Sequence, residues 1–192
     1  MKNIAFKKKY LVSEAIGATS LDESYLISDA ETGLGMAAVE EHSTTAQKIA
    51  KAFVDKAFLP TRLIMKTTEG TTVLEMFQPA SLFRSVFTVR NPDGKILCIF
   101  KQKLTLLNPG IVVEDEHGQK LGSIMGGWKL RNFQFKDNNG NAIASIKHLF
   151  GGVTKELLTT ADDYEVDILG DSSMTLISLA ATICIDFMYH ES

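Results

Sequence analysis

One template recurs along the chain and leaves little freedom of fold. FTVRNPDGKILCI (87–99), IVVEDEHGQKLGSI (111–124) and FQFKDNNGNAIASI (133–146) each run alternating apolar residues into an Asn or Asp. A Gly follows three positions later, and then a second apolar run. LIMKTTEGTTVLEM (63–76) fits with Thr67 in the Asp place, and YLISDAETGLGM (25–36) fits more loosely, its glycine shifted to Gly33. The physics is that of a β-hairpin. Phe133 and Phe135 point one way and Gln134 and Lys136 the other, the period of two of a half-buried strand. Asp or Asn at the first turn position and Gly at the fourth favour a type I turn closed by a left-handed glycine. After the Gly the apolar positions fall three apart (Leu121/Ile124, Ile143/Ile146), so a bulge or one outward-facing residue is implied.

Five hairpins supply ten strands. VTKELLTT (153–160) and YEVDIL (164–169), joined by a turn at Ala161-Asp162-Asp163, read as a sixth hairpin. The expected fold is therefore mainly β, a barrel of about twelve antiparallel strands spanning the chain as a single domain, residues 1–192. A repeat of about 23 residues is too short for a propeller blade. One helix interrupts the series over about 43–58. Thr44 and Gln47 form a capping box, Pro60 closes the segment, and Ala46, Ile49, Ala50, Phe53 and Ala57 share a face. It is expected to pack by that face outside the sheet, against the core or rim, with a membrane-surface role as the alternative.

Twelve strands enclose more space than their own side chains fill, because a barrel of about eight is already full. The C-terminal segment suits the hole. From Met174 to Met188 four of fifteen residues are polar, and Thr175, Ser178, Thr182 and Asp186 fall on one narrow stripe. A helix apolar on its other sides is buried in a core or in lipid. Fifteen residues rise about 22 Å, against about 30 Å of hydrocarbon, and Asp186 in lipid would cost a few kcal/mol more. A core helix is the reading adopted, with Ser172 and Ser173 as caps and Asp171 at the positive end of the dipole. Asp186 then needs a partner inside, and is read as a structural hydrogen-bonding group facing the barrel wall.

Composition excludes several classes. An apolar fraction of 45% fits a full core, and a net charge of −3 gives no electrostatic case for nucleic acid. Cys98 and Cys184 sit in apolar stretches and read as buried small hydrophobes, so the expected location is cytoplasmic. The basic N-terminal end (1–10), with Lys2, Lys7, Lys8 and Lys9, is read as a frayed, solvated terminus, with contact to anionic lipid as the alternative, and no signal peptide is read after it. His42, His117, His148 and His190 show no metal spacing, and no nucleophile elbow, phosphate loop or dinucleotide fingerprint occurs. No catalytic residue, metal or cofactor is expected. What remains is binding: Lys101 and Lys103 stand two apart, as do Lys129 and Arg131, and Trp128 beside them suits a lipid interface. The plainer reading of these residues is a solvated strand face.

The end of the chain also carries a family likeness. ICIDFMYHE, with the small-residue helix before it, resembles the C-terminal signature of phospholipid scramblases. GMAAVEEHS, LEMFQP, LGSIMGGW and FQFKDNNGNAIASI resemble further segments of that family in the same order, over roughly residues 25 to 191. The family is similar to the tubby C-terminal domain and the LURP-one-related proteins, and the resemblance implies their twelve-stranded barrel around a hydrophobic C-terminal helix. Three departures are visible. Gln78 stands where arginine is usual, and the acidic stretch DDYEVDILGDSS is shorter than the calcium-associated loop of scramblases. The proline-rich extension and the palmitoylated cysteines of the animal proteins have no counterpart here. Asp162, Asp163, Asp167 and Asp171 do not make an EF-hand, and calcium is not expected.

The expected function is a non-enzymatic, scramblase-like module that contacts anionic phospholipid headgroups at a membrane surface through Lys101, Lys103, Lys129, Arg131 and Trp128. It would be cytoplasmic or peripheral to a membrane. The alternative is a soluble regulatory or scaffold domain that binds an unknown protein partner. An enzyme or carrier using a cavity at the barrel mouth has no specific support in the sequence.

Overall fold

The computed structural model describes residues 7–15, 23–51, 53–54, 59–81, 83–105, 109–127, 131–149 and 162–189. Its strands are β1 (Lys9–Glu14), β2 (Ser24–Asp29), β3 (Gly35–Glu41), β4 (Thr61–Thr67), β5 (Thr72–Gln78), β6 (Val86–Arg90), β7 (Ile96–Gln102), β8 (Gly110–Glu114), β9 (Lys120–Gly126), β10 (Asn132–Asp137), β11 (Ala142–Leu149) and β12 (Asp163–Ile168). Each pairs antiparallel with its neighbours in chain order, and β1 seals against β12 to close the barrel. The helices are α1 (Thr45–Lys51), between β3 and β4, and α2 (Thr175–Tyr189), the last element.

The repeated template is the source of this regularity. Gly33, Gly70, Gly94, Gly118 and Gly140 all have positive φ, between 70° and 86°. In the tighter turns the glycine N–H donates back to the carbonyl of the first turn residue, as from Gly94 to Asn91 at 2.9 Å. The side chain at that first position ties the turn a second time. Asp137 Oδ1 accepts from the N–H groups of Asn139 and Asn141, both at 2.8 Å, and Asn91 Oδ1 accepts from Lys95 at 2.8 Å. Every one of these hairpins slips by one residue just before its turn, as between Phe135 and Lys136. The residues so skipped are Met36, Val73, Leu97, Leu121 and Ile143. All are apolar, which accounts for the three-residue spacing after the glycine.

Two readings of the sequence change. The basic end is not a frayed terminus from Lys7 onward: Lys9–Glu14 is a strand, with Tyr10 and Val12 fully buried. The lysines lie outside the wall, where Lys7 pairs with Asp29 at 2.7 Å and Lys9 with Asp167 at 3.2 Å. A charged run thus concealed an alternation that starts at Tyr10. The strand expected over 153–160 lies outside the described residues, and β11 pairs directly with β12. The second change concerns α1. Its capping box is present, with Gln47 N–H donating to Thr44 Oγ1 at 3.3 Å and Thr44 N–H donating to Gln47 Oε1 at 2.7 Å. Its apolar face does not pack on the sheet, however, since Ala46, Ile49 and Phe53 are exposed.

The alternation of strand directions gives the barrel two unlike ends. The five tight turns lie at one end, called here the turn end. The strand ends that flank the longer connections (15–23, 42–60, 79–85, 103–109, 127–131 and 150–162) all lie at the other, the loop end. α2 enters from the turn end, where Asp171 caps a 3₁₀ turn over Ser172–Met174 by accepting from Ser173 N–H at 2.8 Å. Asp171 itself is the cap, rather than the serines. This backbone hydrogen bond also holds its carboxyl below the usual range. The helix then runs up the axis. Phe187 meets the Phe87 ring edge-on at 5.6 Å, and Leu179, Ile183, Cys184 and Ile185 are fully enclosed. Burial pushes the Cys98 thiol up to about 12 and that of Cys184 well above its ordinary value, so both are inert core residues.

Candidate functional site

The polar stripe of α2 is buried along its whole length at Thr175, Ser178, Thr182 and Asp186. It faces a seam of tyrosines on three adjacent strands, β12, β1 and β2, of which β12 meets β1 only because the barrel closes. Tyr25 Oη donates to Asp186 Oδ2 at 2.6 Å, and Tyr164 Oη donates to Oδ1 at 2.6 Å. That length is typical of charge-assisted bonds to a carboxylate. Two donors on two different oxygens answer the question of what Asp186 pairs with. The seam extends outward: His148 stacks on Tyr164 with ring centres 5.0 Å apart, and its Nε2 lies 2.8 Å from Asp162 Oδ1. Tyr10 reaches the same stripe nearer the turn end, at Thr175. The seam is a device for fixing the rotation and depth of α2, since sliding or turning it would strand Asp186 among apolar side chains.

Above the seam, at the loop end, carboxylates crowd together. Glu41 Oε2 accepts from Glu23 N–H at 2.9 Å, and its Oε1 accepts from Ser43 Oγ at 3.0 Å. Glu14 Oε2 accepts from Asp162 N–H at 3.3 Å. Burial raises the Glu14 carboxyl to about 7. The Asp162 backbone opposes that shift, and the charges of Asp186 and Glu23 and a hydrogen bond shared with Glu23 add to it. A carboxyl–carboxyl hydrogen bond needs a proton, so this part of the rim holds one near neutral pH. The other acids of the C-terminal stretch are spread apart. Asp167 lies at the turn end on Lys9, far along the strand from Asp163, and among the described residues no group of three or more ligating side chains could hold a metal.

The residues expected to meet lipid sit on the opposite side of the same rim. Lys101, half-buried near the end of β7, is ion-paired with Glu114 of β8. Lys103 lies just beyond β7, its Nζ 3.2 Å from Met125 Sδ. Arg131 is exposed and immediately precedes β10, where its carbonyl accepts from His148 N–H at 2.8 Å. Trp128 and Lys129 lie outside the described residues, in the 127–131 connection. Among the described residues the barrel therefore brings Lys101, Lys103 and Arg131 to the same end. Lys101 is already engaged, whereas Arg84, one connection away, was not singled out in the sequence. Its signal was the same basic–apolar alternation, in LFR (82–84).

The family model described as Scramblase matches residues 122–192, which take in most of β9, then β10, β11, β12 and α2. No curated protein and no solved structure matches the chain.

Proposed function

With the phospholipid scramblase family supported over residues 122–192, we propose that this chain is a non-enzymatic module that binds anionic phospholipid headgroups at a membrane surface. Lys103, Lys129 and Arg131 are the contacting cations, Lys101 stands in reserve behind its ion pair with Glu114, and Trp128 lies at the interface. The observation that carries this reading is the placement of these residues. Lys101 and Lys103 at the end of β7 and Arg131 at the start of β10 stand at the same end of four consecutive strands, β7 to β10, which supports the reading; Lys129 and Trp128 join them in it by sequence alone. The role is peripheral. One segment, Ser172–Tyr189, is long and apolar enough to cross a membrane, but it is mostly buried within the barrel. That placement argues against lipid movement along a spanning helix.

Co-sedimentation with vesicles of neutral lipid, and with vesicles containing phosphatidylserine, at two salt concentrations tests the proposal. Binding that requires the anionic lipid and weakens with salt is expected, since each cation near such a surface contributes about 1 kcal/mol and is screened within a Debye length. Replacing Lys103, Lys129 and Arg131 by Gln should weaken binding by about a hundredfold. Binding indifferent to lipid charge, or no binding, would refute it.

A further inference from the structure

The barrel is polarised along its axis. The five tight turns (30–34, 68–71, 91–95, 115–119 and 138–141) contain five acidic residues and a single Lys. At the loop end, four successive connections (42–60, 79–85, 103–109 and 127–131) contain seven lysines and arginines and a single Asp, in a chain of net charge −3. Among the described residues, the same connections hold the most exposed large apolar side chains of their end. Phe53 is 84% exposed, Phe83 83%, Leu104 68% and Ile49 61%. Each of the four sequences interleaves the two kinds of residue: AKAFVDKAF, LFR, KLTLL and GWKLR. A solvated rim has no use for such side chains, and contiguous apolar exposure rimmed by charge marks an interaction surface.

We infer that this arc of the loop end is a wedge that enters the headgroup region of an anionic bilayer, with Phe53, Phe83 and Leu104 inserted and the basic residues beside them on the phosphates. The inference rests on the lipid-binding reading and extends it from charge contact to insertion, at a stated face and orientation. A bilayer is the occupant because both features of the surface match it: basic residues meet anionic headgroups, and apolar side chains at the same depth meet the acyl boundary. The other two loop-end connections, 15–23 and 150–162, hold four acids and one Lys, so the barrel tilts with its Glu14 side away from the membrane.

The test uses the only tryptophan, Trp128, as a depth probe in the intact chain. On mixing with phosphatidylserine-containing vesicles, its emission should shift to the blue and be quenched by lipids brominated on the acyl chain. Phe83→Ser combined with Leu104→Ser should weaken co-sedimentation by about tenfold for each side chain withdrawn. The turn-end control Leu34→Ser with Leu169→Ser, two residues that are also exposed, should change nothing. All four sites are solvent-facing, so the variants should keep the thermal midpoint of the parent. Salt-sensitive binding with unquenched Trp128 and no effect of the Phe83/Leu104 pair would overturn insertion and leave headgroup contact standing. Absence of any vesicle binding would overturn the lipid reading, and this inference with it.

Discussion

Replacing Asp186 probes the buried polar contact at the centre of the seam that holds α2. In the native barrel two phenols, Tyr25 and Tyr164, each donate to a separate carboxylate oxygen at 2.6 Å, and Asp186 is almost wholly buried. Asp186→Ala removes both acceptors and leaves two enclosed hydroxyls to be desolvated without them, at about 1–3 kcal/mol each, so a loss of about 4 kcal/mol is expected. Asp186→Asn keeps one acceptor but turns an amide N–H2 toward the other phenol, donor against donor, for about 2 kcal/mol. In a chain of this length each kcal/mol lowers the melting midpoint by roughly 2–4 °C, so the Ala variant should melt about 10 °C earlier. Urea unfolding followed by far-ultraviolet circular dichroism gives the free energies. The Tyr25→Phe, Tyr164→Phe and Asp186→Ala triple variant should lose clearly less than the three single losses added, because the phenols no longer need an acceptor. Coupling of at least about 1 kcal/mol between Tyr25 and Asp186 is expected in a double-mutant cycle. Losses below about 0.5 kcal/mol for both Asp186 variants, or strict additivity, would show that the seam does not hold the helix.

Three further outcomes follow from other parts of the wall. Gly122→Ala should cost several kcal/mol or prevent folding, because a Cβ there would run into the Lys136 carbonyl oxygen and meet the Phe135 ring at 3.2 Å; soluble yield and melting midpoint report it. Gly140→Ala meets nothing within 4 Å but forces φ of 86° on an L-residue, so a loss of about 1 kcal/mol by urea titration is expected, with the fold intact. Glu14, raised to about 7, holds a proton in the folded state that the unfolded chain gives up near pH 4.5; its contribution to stability is complete below that pH and is lost as pH rises through about 7. Glu14→Gln should flatten the decline in urea midpoint between pH 5.5 and 8, where Glu23, Asp162 and Asp186 face it. Asp29, held down to about 2 chiefly by its hydrogen bond with Lys7, titrates outside that window.

Much of the barrel was readable because its instructions are local. A turn residue, a left-handed glycine and an apolar alternation sit within about fourteen residues of one another, so each hairpin announces itself. The bulges were readable for the same reason. What escaped was set by contacts distant along the chain. β1 joins β12 across more than 150 positions, and nothing near Lys9 announces that partnership. Tyr25 and Tyr164 occupy ordinary inward positions, and become the partners of Asp186 only when closure places β2 and β12 on either side of β1. The face of α1 was misread because an amphipathic pattern tells that one side is apolar, not what covers it. Lys101 looked as available as Lys103, yet its ammonium is taken by Glu114, a residue 13 positions on that the β7–β8 pairing sets diagonally across from it, opposite Ile99.

The placement of α2 restricts how lipid can be handled. Were the helix to leave the barrel and span a bilayer, its own apolar side chains would merely exchange one apolar setting for another. The wall would not: Tyr10, Tyr25, Phe87, Phe133 and Tyr164 face the axis and would line a water-filled or collapsed lumen. At about 1.5–3 kcal/mol for each large side chain uncovered, five such residues account for about 10 kcal/mol, comparable with the whole stability of an ordinary domain. The cost does not end there, because the paired phenols would lose their carboxylate and Asp186 would enter hydrocarbon. Extraction of the helix and survival of the barrel are therefore alternatives. Any contact of the folded chain with lipid would then fall to the outside of the barrel, as the proposed loop-end site requires.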